Sequence, residues 1–112
     1  MISKWPKYFV GRQFMYLGEI YELVSPIKRS NIKGKKLKVR VKKLSSGRVK
    51  TIHFGKVGYQ DFTQHKDKSR RMNYLARSAG IRNKFGRLTK DNPFSANFWA
   101  RRVLWLSDEN IK

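Results

Sequence analysis

The sequence contains no cysteine and few acidic residues, and both shortages narrow the kinds of protein that it can encode. Without cysteine, a disulfide framework and a thiolate metal site are excluded, and a reducing compartment is favoured. Only 7 Asp and Glu residues stand against 27 Lys and Arg residues, so the formal net charge is +20 at pH 7. A chain this basic repels itself electrostatically, and a polyanionic partner relieves that repulsion.

Long apolar segments are also missing from the 112 residues. No stretch approaches the roughly 18–20 consecutive apolar residues of a membrane span, and the first twenty residues lack the features of a signal peptide. We therefore expect no membrane partner and no secretion. The chain is nevertheless not a disordered basic tail, because 39% of its residues are hydrophobic and 13% are aromatic, which supplies apolar surface for a core. Its length predicts a single basic domain over residues 1–112.

Two segments in the first half have strand patterns. Residues 16–24 are rich in β-branched and aromatic side chains, which predicts one bent strand or two short ones. From residue 36 to residue 44 apolar and basic side chains alternate, as in a half-buried strand. A two-residue turn at Ser46–Gly47 completes a central β-hairpin over about 36–54. The cross-strand pairs that this register predicts are Val39 with Phe54 and Val41 with Ile52.

Two helices are predicted in the second half. Asp67 is a favourable N-cap residue for a helix over about 68–79, and Ser95 is one for a helix over about 95–106. The second helix is apolar on most sides, so we expect it to be largely buried, with Trp99 in the core rather than stacked on a base. The fold class is therefore α+β: a small antiparallel sheet with a central hairpin, followed by two helices. The stripe expected to be buried on the first helix consists of Met72, Leu75, Ala76 and Ala79.

Two aromatic-rich blocks carry a resemblance to a known family. They are residues 51–67 (TIHFGKVGYQDFTQHKD) and residues 96–105 (ANFWARRVLW), with a basic helix between them. Together they resemble a family of uncharacterised small basic proteins encoded by large DNA viruses and tailed phages. The resemblance covers roughly residues 48–106 and not the first 30 residues. It implies a virus-encoded protein with no transferable catalytic residue, located in the host cell cytoplasm or in the virion.

Catalysis has one candidate cluster, in which Asp61, His65 and Asp67 lie close in sequence. A small nuclease with a metal site here is one interpretation. However, the set has no recognised ligand spacing, and the surrounding Lys and Arg residues repel a divalent cation. We instead expect the two aspartates to cap turns or helix starts and His65 to pack locally. The prediction is no enzyme activity, no metal and no cofactor.

The basic surface is the strongest functional signal. Residues 28–50 contain no acidic residue, and the strand pattern places Lys38, Arg40 and Lys42 on one face at ~6.6 Å spacing, close to that of successive phosphates. Nucleic acid is the commonest polyanion, so we expect a non-enzymatic, virus-encoded nucleic-acid-binding protein that contacts the phosphate backbone, with DNA favoured. The residues predicted to bind it are Lys36, Lys38, Arg40, Lys42, Lys43, Arg48, Lys50, Arg70, Arg71, Arg77, Arg82 and Lys84.

The alternative is a virion structural protein, such as a minor capsid or internal component. Its basic surface then meets the packaged genome or acidic capsid proteins, which makes viral structural proteins a second class of partner. A membrane surface and a merely solvated basic face are weaker interpretations of the same charge, because a four-to-one excess of basic residues is uncommon on ordinary protein surfaces.

Overall fold

An antiparallel sheet and two helices form the part of the chain that the computed structural model describes, which is residues 8–58, 61, 64 and 66–105. The predicted α+β class, with a hairpin followed by two helices, is confirmed. The strands are β1 (Gln13–Tyr16), β2 (Glu19–Leu23), β3 (Lys28–Arg29), β4 (Lys35–Lys43) and β5 (Arg48–Lys56). The helices are α1 (Lys68–Ser78) and α2 (Ala96–Trp99), and α2 continues into a π-helical turn (Ala100–Leu104).

Strand β4 lies at the centre of the sheet. Strand β5 pairs with it along one edge, while β2 and β3 pair with successive parts of its other edge. Between them the ladder is interrupted at Ser25, whose Oγ accepts the Arg40 N–H at 2.9 Å. A side-chain oxygen thus replaces a backbone carbonyl at the break, and the Arg40 N–H stays satisfied.

Residues 16–24 were predicted to form one bent strand or two short ones, and the structure has two strands, β1 and β2, joined by a tight turn. Tyr16 pairs with Glu19, and the two residues between them, Leu17 and Gly18, have φ values of +50° and +77°. Two consecutive positive φ angles define a type I′ turn, whose twist matches that of the strands. Glycine adopts this conformation freely, whereas leucine does so at a cost.

Leu17→Asn is expected to stabilise the protein by about 0.5–1 kcal/mol, because asparagine tolerates the left-handed conformation better than leucine. Leu17 is 64% exposed, so its replacement removes little packing. Thermal unfolding measures the gain. Leu17→Ala is the control, because it removes the same side chain without the tolerance for positive φ. A melting temperature for the asparagine variant at or below that of the alanine variant would contradict the prediction.

The central hairpin keeps its predicted faces but has a different register. The structure pairs Lys43 with Arg48, so four residues, 44–47, connect the strands instead of the predicted two. Gly47 closes this loop with a φ of +74° and donates its N–H to the Lys43 carbonyl at 2.8 Å. The predicted register is therefore wrong by two positions, which moves every pair but leaves every side chain on its face. The observed partners are Ile52 for Val39, Lys50 for Val41 and Phe54 for Leu37.

The apolar core lies between the inner face of the sheet and the C-terminal helix. Trp99 is fully buried, as predicted, and its Nε1–H donates to the Pro93 carbonyl at 2.8 Å. Tyr8 and Phe14 approach its ring edge-on, with centroids at 5.8 and 5.5 Å. The remaining buried apolar residues are Tyr21, Leu23, Val39, Val41, Ile52, Phe54, Phe98, Ala100, Val103 and Leu104.

The C-terminal helix begins as predicted but is not uniformly α-helical. Ser95 caps it by accepting the Asn97 N–H at 3.1 Å. After Trp99 the backbone widens into a π turn, and the Trp105 N–H donates to the carbonyl of Ala100, five residues earlier. The expected regular helix over 95–106 is thus corrected to one α turn followed by one π turn, and residue 106 lies outside the described residues.

Helix α1 packs through a face that overlaps the predicted one only in part. Asp67 caps it as expected, with Oδ1 accepting two backbone N–H groups at 3.0 and 3.2 Å. Met72, however, is 68% exposed, and the face turned toward the rest of the molecule contains Arg71, Tyr74 and Ser78. The predicted stripe is therefore wrong for Met72 and Ala76, which are exposed, while Leu75 and Ala79 are half-buried. The packed face is more polar than expected because α1 docks mainly by hydrogen bonds and one aromatic stack.

Candidate nucleic-acid interface

The face of the sheet opposite the core carries a group of basic side chains, which we name the outer basic face. It consists of Lys28 on β3 and of Lys38, Arg40 and Lys42 on β4. Alternation along β4 turns Val39 and Val41 inward and their basic neighbours outward. Lys28 joins the group because it pairs directly with Lys38, and directly paired residues lie on the same face.

The charges of the outer basic face are weakly compensated. Within the described part of the chain, no carboxylate lies within 4 Å of Lys28, Arg40 or Lys42. Lys38 donates from Nζ to Asn31 Oδ1 at 3.3 Å, a neutral partner that leaves its charge intact. Glu22 pairs with Lys42 across the strands and is the acidic residue nearest to this group in the register. Weakly compensated cations along one strand form a surface suited to a row of anions.

A second basic region is a cleft of about 590 Å³, which we name the basic cleft. It opens between one end of the β4–β5 hairpin, the helix α1 and the π turn. Its aromatic and apolar walls include Phe54, Tyr74, Leu104 and Trp105. The basic residues that line it are Lys35, Lys36, Lys56, Arg70 and Arg77, and the acidic residue among the lining residues is Asp61.

Lys36 lies in the basic cleft and not on the outer basic face, where the strand alternation predicts it. Its Nζ lies 2.6 Å from Oδ2 of Asp61 and 2.9 Å from Oε1 of Gln64. Asp61 is only 4% exposed, and a carboxylate at that depth requires a charged or hydrogen-bonding partner. Lys36 is therefore the partner of a buried acid. The Asp61 N–H also donates to Oε1 of Gln64 at 3.0 Å, and the expectation that Asp61 caps a turn or helix stays a prediction.

Three of the predicted binding residues have structural bonds to backbone carbonyls. Arg71 donates from Nε to the Trp105 carbonyl at 2.6 Å, and Arg82 donates from Nη1 to the Gly86 carbonyl at 2.7 Å. Lys50 donates from Nζ to the Phe94 carbonyl at 3.1 Å. These side chains secure loops and the C-terminal segment, so their cationic groups are partly committed within the fold.

The remaining predicted residues lie at three places. Lys43 and Arg48 face each other at the turn end of the hairpin, with the Arg48 guanidinium 5.9 Å from the Phe94 ring centroid. Arg70 and Arg77 line the basic cleft from α1. Lys84 lies in an exposed loop with its Nζ 5.2 Å from the Phe85 ring centroid. The predicted residues are thus divided among the outer basic face, the basic cleft and positions where the basic side chain contacts a backbone carbonyl or an aromatic ring.

Sequence reasoning missed three basic residues of these two surfaces. Lys28 was missed because a two-residue strand gives no periodic signal. Lys35 and Lys56 pair across the open end of the hairpin, a contact that follows only from the correct register. Extending the alternating pattern to residue 35 and to residue 56 would have included both lysines in the predicted strands.

The Asp61, His65 and Asp67 cluster separates into different roles. Asp61 pairs with Lys36 and Asp67 caps α1, while His65 lies outside the described residues. Within the described ranges, no group of three or more His, Cys, Asp or Glu side chains is arranged to hold a metal ion. The absence of metal, cofactor and catalysis stays a prediction.

Comparison with known proteins finds a similarity to a family model. The model of a family of unknown function (DUF5754) matches residues 25–78, which include β3, the β4–β5 hairpin and α1. No curated protein and no solved structure matches the chain. The matched segment contains the whole outer basic face and part of the basic cleft, and it ends before the helix that supplies Trp99.

Membrane association through a spanning helix has no support in the described residues. None of the helices in that part of the chain combines the length and the apolar character that crossing a bilayer requires.

Proposed function

We propose that the protein binds nucleic acid without catalysing a reaction, and that the outer basic face contacts the phosphate backbone. The observation that carries the proposal is the row formed by Lys38, Arg40 and Lys42 with Lys28 beside it, on an open sheet face and without carboxylate partners among the described residues. The viral setting and the preference for DNA, which rest on the resemblance and on charge, stay predictions.

The chemistry of this face suits phosphate contact rather than base reading. Lysine ammonium groups are flexible point charges, and contacts to phosphate carry no sequence information directly. Each neutralised phosphate releases counterions, so four contacts on duplex DNA give a slope of log K against log salt of about −3.6. A protein with a formal charge of +20 gains further long-range attraction to such a partner.

The test replaces Lys38, Arg40 and Lys42 together by glutamine. Binding to duplex DNA is expected to weaken for all sequences alike, and the salt slope is expected to become shallower by about 2.7, or 0.9 for each lost contact. Fluorescence anisotropy across a salt series measures both quantities. The changed side chains point away from the core, so the variant should unfold at an unchanged temperature.

A control replaces Lys68 and Arg87 by glutamine, since both are exposed, lie outside the outer basic face and are not among the predicted binding residues. It should keep the slope of the unchanged protein. Equal slopes for the two variants would contradict the assignment to this face. No binding of the unchanged protein to any nucleic acid at low salt would overturn the proposed function and would favour the virion structural alternative, in which the basic surface meets acidic proteins.

A further inference from the structure

The basic cleft has a composition that the outer basic face lacks, since cations and aromatic rings line the same space. Among its basic residues, Lys35, Arg70 and Arg77 have no carboxylate within 4 Å in the described part of the chain. They come from the sheet and from α1, so the positive charges lie on two walls. A bound anion between these walls is approached by cations from both sides.

The aromatic wall is held in a fixed position. The rings of Tyr74 and Trp105 stack with centroids 4.1 Å apart and an interplanar angle of 9°. Arg71 fixes the end of the helical segment through its bond to the Trp105 carbonyl, and Arg101 fixes α1 by donating from Nη1 to the Leu75 carbonyl and to Ser78 Oγ, both at 2.6 Å. Burial raises the pKa of the Tyr74 phenol, and the opposing influence of Arg101 and Arg77 is smaller.

The volume and the lining residues of the cleft indicate which class of ligand fits it. A volume of about 590 Å³ lies within the range of roughly 300–1,000 Å³ that small-molecule sites occupy. The sheet, α1 and the π turn line it, and its volume suits a single nucleotide unit rather than a base-paired duplex. Aromatic rings provide a surface for a base in a sequence-tolerant way, and the arginines of α1 suit a phosphate group.

We infer that the basic cleft binds one phosphorylated nucleotide unit, with its phosphate between Arg70, Arg77 and Lys35 and its base against the Tyr74–Trp105 pair. The inference deepens the proposed function and rests on it. The same chemistry is offered by a nucleotide within a single strand and by a free mononucleotide. The protein then has two modes of contact: the outer basic face for any phosphate backbone, and the cleft for an unpaired nucleotide.

The test compares Arg70→Gln/Arg77→Gln with the unchanged protein on a fluorescein-labelled oligothymidylate and on a duplex of equal length. Both arginines are exposed on α1, so the variant should fold normally, as its thermal unfolding checks. Binding to the single strand is expected to weaken roughly tenfold or more, and its salt slope should become shallower by about 1.4. The change in log K for the duplex should be less than half of the change in log K for the single strand.

Lys68→Gln/Arg87→Gln is the charge-matched control, and it should weaken the binding of both ligands equally and slightly.

Tryptophan fluorescence distinguishes the two sources of the nucleotide. Quenching by deoxythymidine monophosphate that is lost in Trp105→Phe indicates a site for free nucleotides, whereas quenching by the oligonucleotide alone indicates recognition within a strand. Equal weakening of single-strand and duplex binding in the arginine variant would overturn the cleft inference and leave the proposed function standing. Failure of the unchanged protein to bind either ligand would overturn both.

Discussion

Trp99→Ala is expected to lower the free energy of unfolding by about 3–5 kcal/mol, the usual cost of truncating a large buried aromatic residue. The Trp99 side chain is completely inaccessible, touches Tyr8, Phe14 and Phe54 through its ring, and donates its Nε1–H to the Pro93 carbonyl. Truncation leaves a cavity on one side and an unpaired carbonyl on the other. Small domains have a total stability of only about 5–15 kcal/mol, so the variant should be largely unfolded or insoluble.

Thermal unfolding and DNA binding on the same sample test this expectation. Phe85→Ala is the control, because Phe85 is an aromatic residue that is 76% exposed and its loss should change stability by no more than about 0.5 kcal/mol. If Trp99→Ala instead gave a folded protein with an unchanged melting temperature and weakened single-strand binding, Trp99 would belong to the binding surface and not to the core.

Gly55→Ala is the second substitution with a large expected effect. Gly55 has a φ of +82°, and a Cβ built on it would lie 2.6 Å from Cδ1 of Leu104 and 3.1 Å from Cβ of Lys36. The left-handed backbone costs an alanine about 1–2 kcal/mol, and crowding against a buried leucine adds about 1–3 kcal/mol. We therefore expect a loss of about 2–5 kcal/mol in the free energy of unfolding, measured by denaturant titration.

Gly58→Ala separates the two contributions. Gly58 has a similar φ of +95°, but a Cβ there would meet nothing within 4 Å, so this variant bears the backbone cost alone. The difference between the two variants is then the cost of crowding Leu104 and Lys36. Equal destabilisation at both glycines would show that the close approach of the π turn to β5 does not constrain the side chain at position 55.

The sheet was largely predictable because its signal is local. Alternating side chains identified the hairpin, and the same alternation correctly placed Val39 and Val41 in the core. The register was not predictable, because a shift of two residues preserves the facing of every side chain. The hydrophobic pattern cannot distinguish the two registers, and the positive φ of Gly47 fits both the predicted two-residue turn and the observed four-residue loop at 44–47.

The helices show where hydrophobic patterning stops being informative. Their caps, Asp67 and Ser95, are local hydrogen bonds and were predicted correctly. The packed face of α1 was predicted only in part, because Ser78 is buried through bonds to Arg101 and Asn97, residues about 20 positions further along the chain. The prediction assigned burial to Met72 on hydrophobicity alone, and no property of the α1 sequence itself reveals its polar docking partners.

The part of the candidate site that lies on β4 could be predicted because its basic residues follow the alternation of that strand. Lys38, Arg40 and Lys42 lie together on one face, as alternation predicts. Lys36 departs from this face because Asp61, 25 residues later, is buried beside it. The division of the basic residues between an outer face and a cleft depends on such long-range pairings, which composition and periodicity do not encode.

The order of the core residues along the chain also constrains folding. The inner face of the β4–β5 hairpin is complete at residue 54, but the side chains that cover it, from Phe98 to Leu104, come from the far end of the chain. A partly folded chain in which the hairpin has formed and the C-terminal helix has not yet docked therefore exposes an apolar sheet face, a state that favours aggregation.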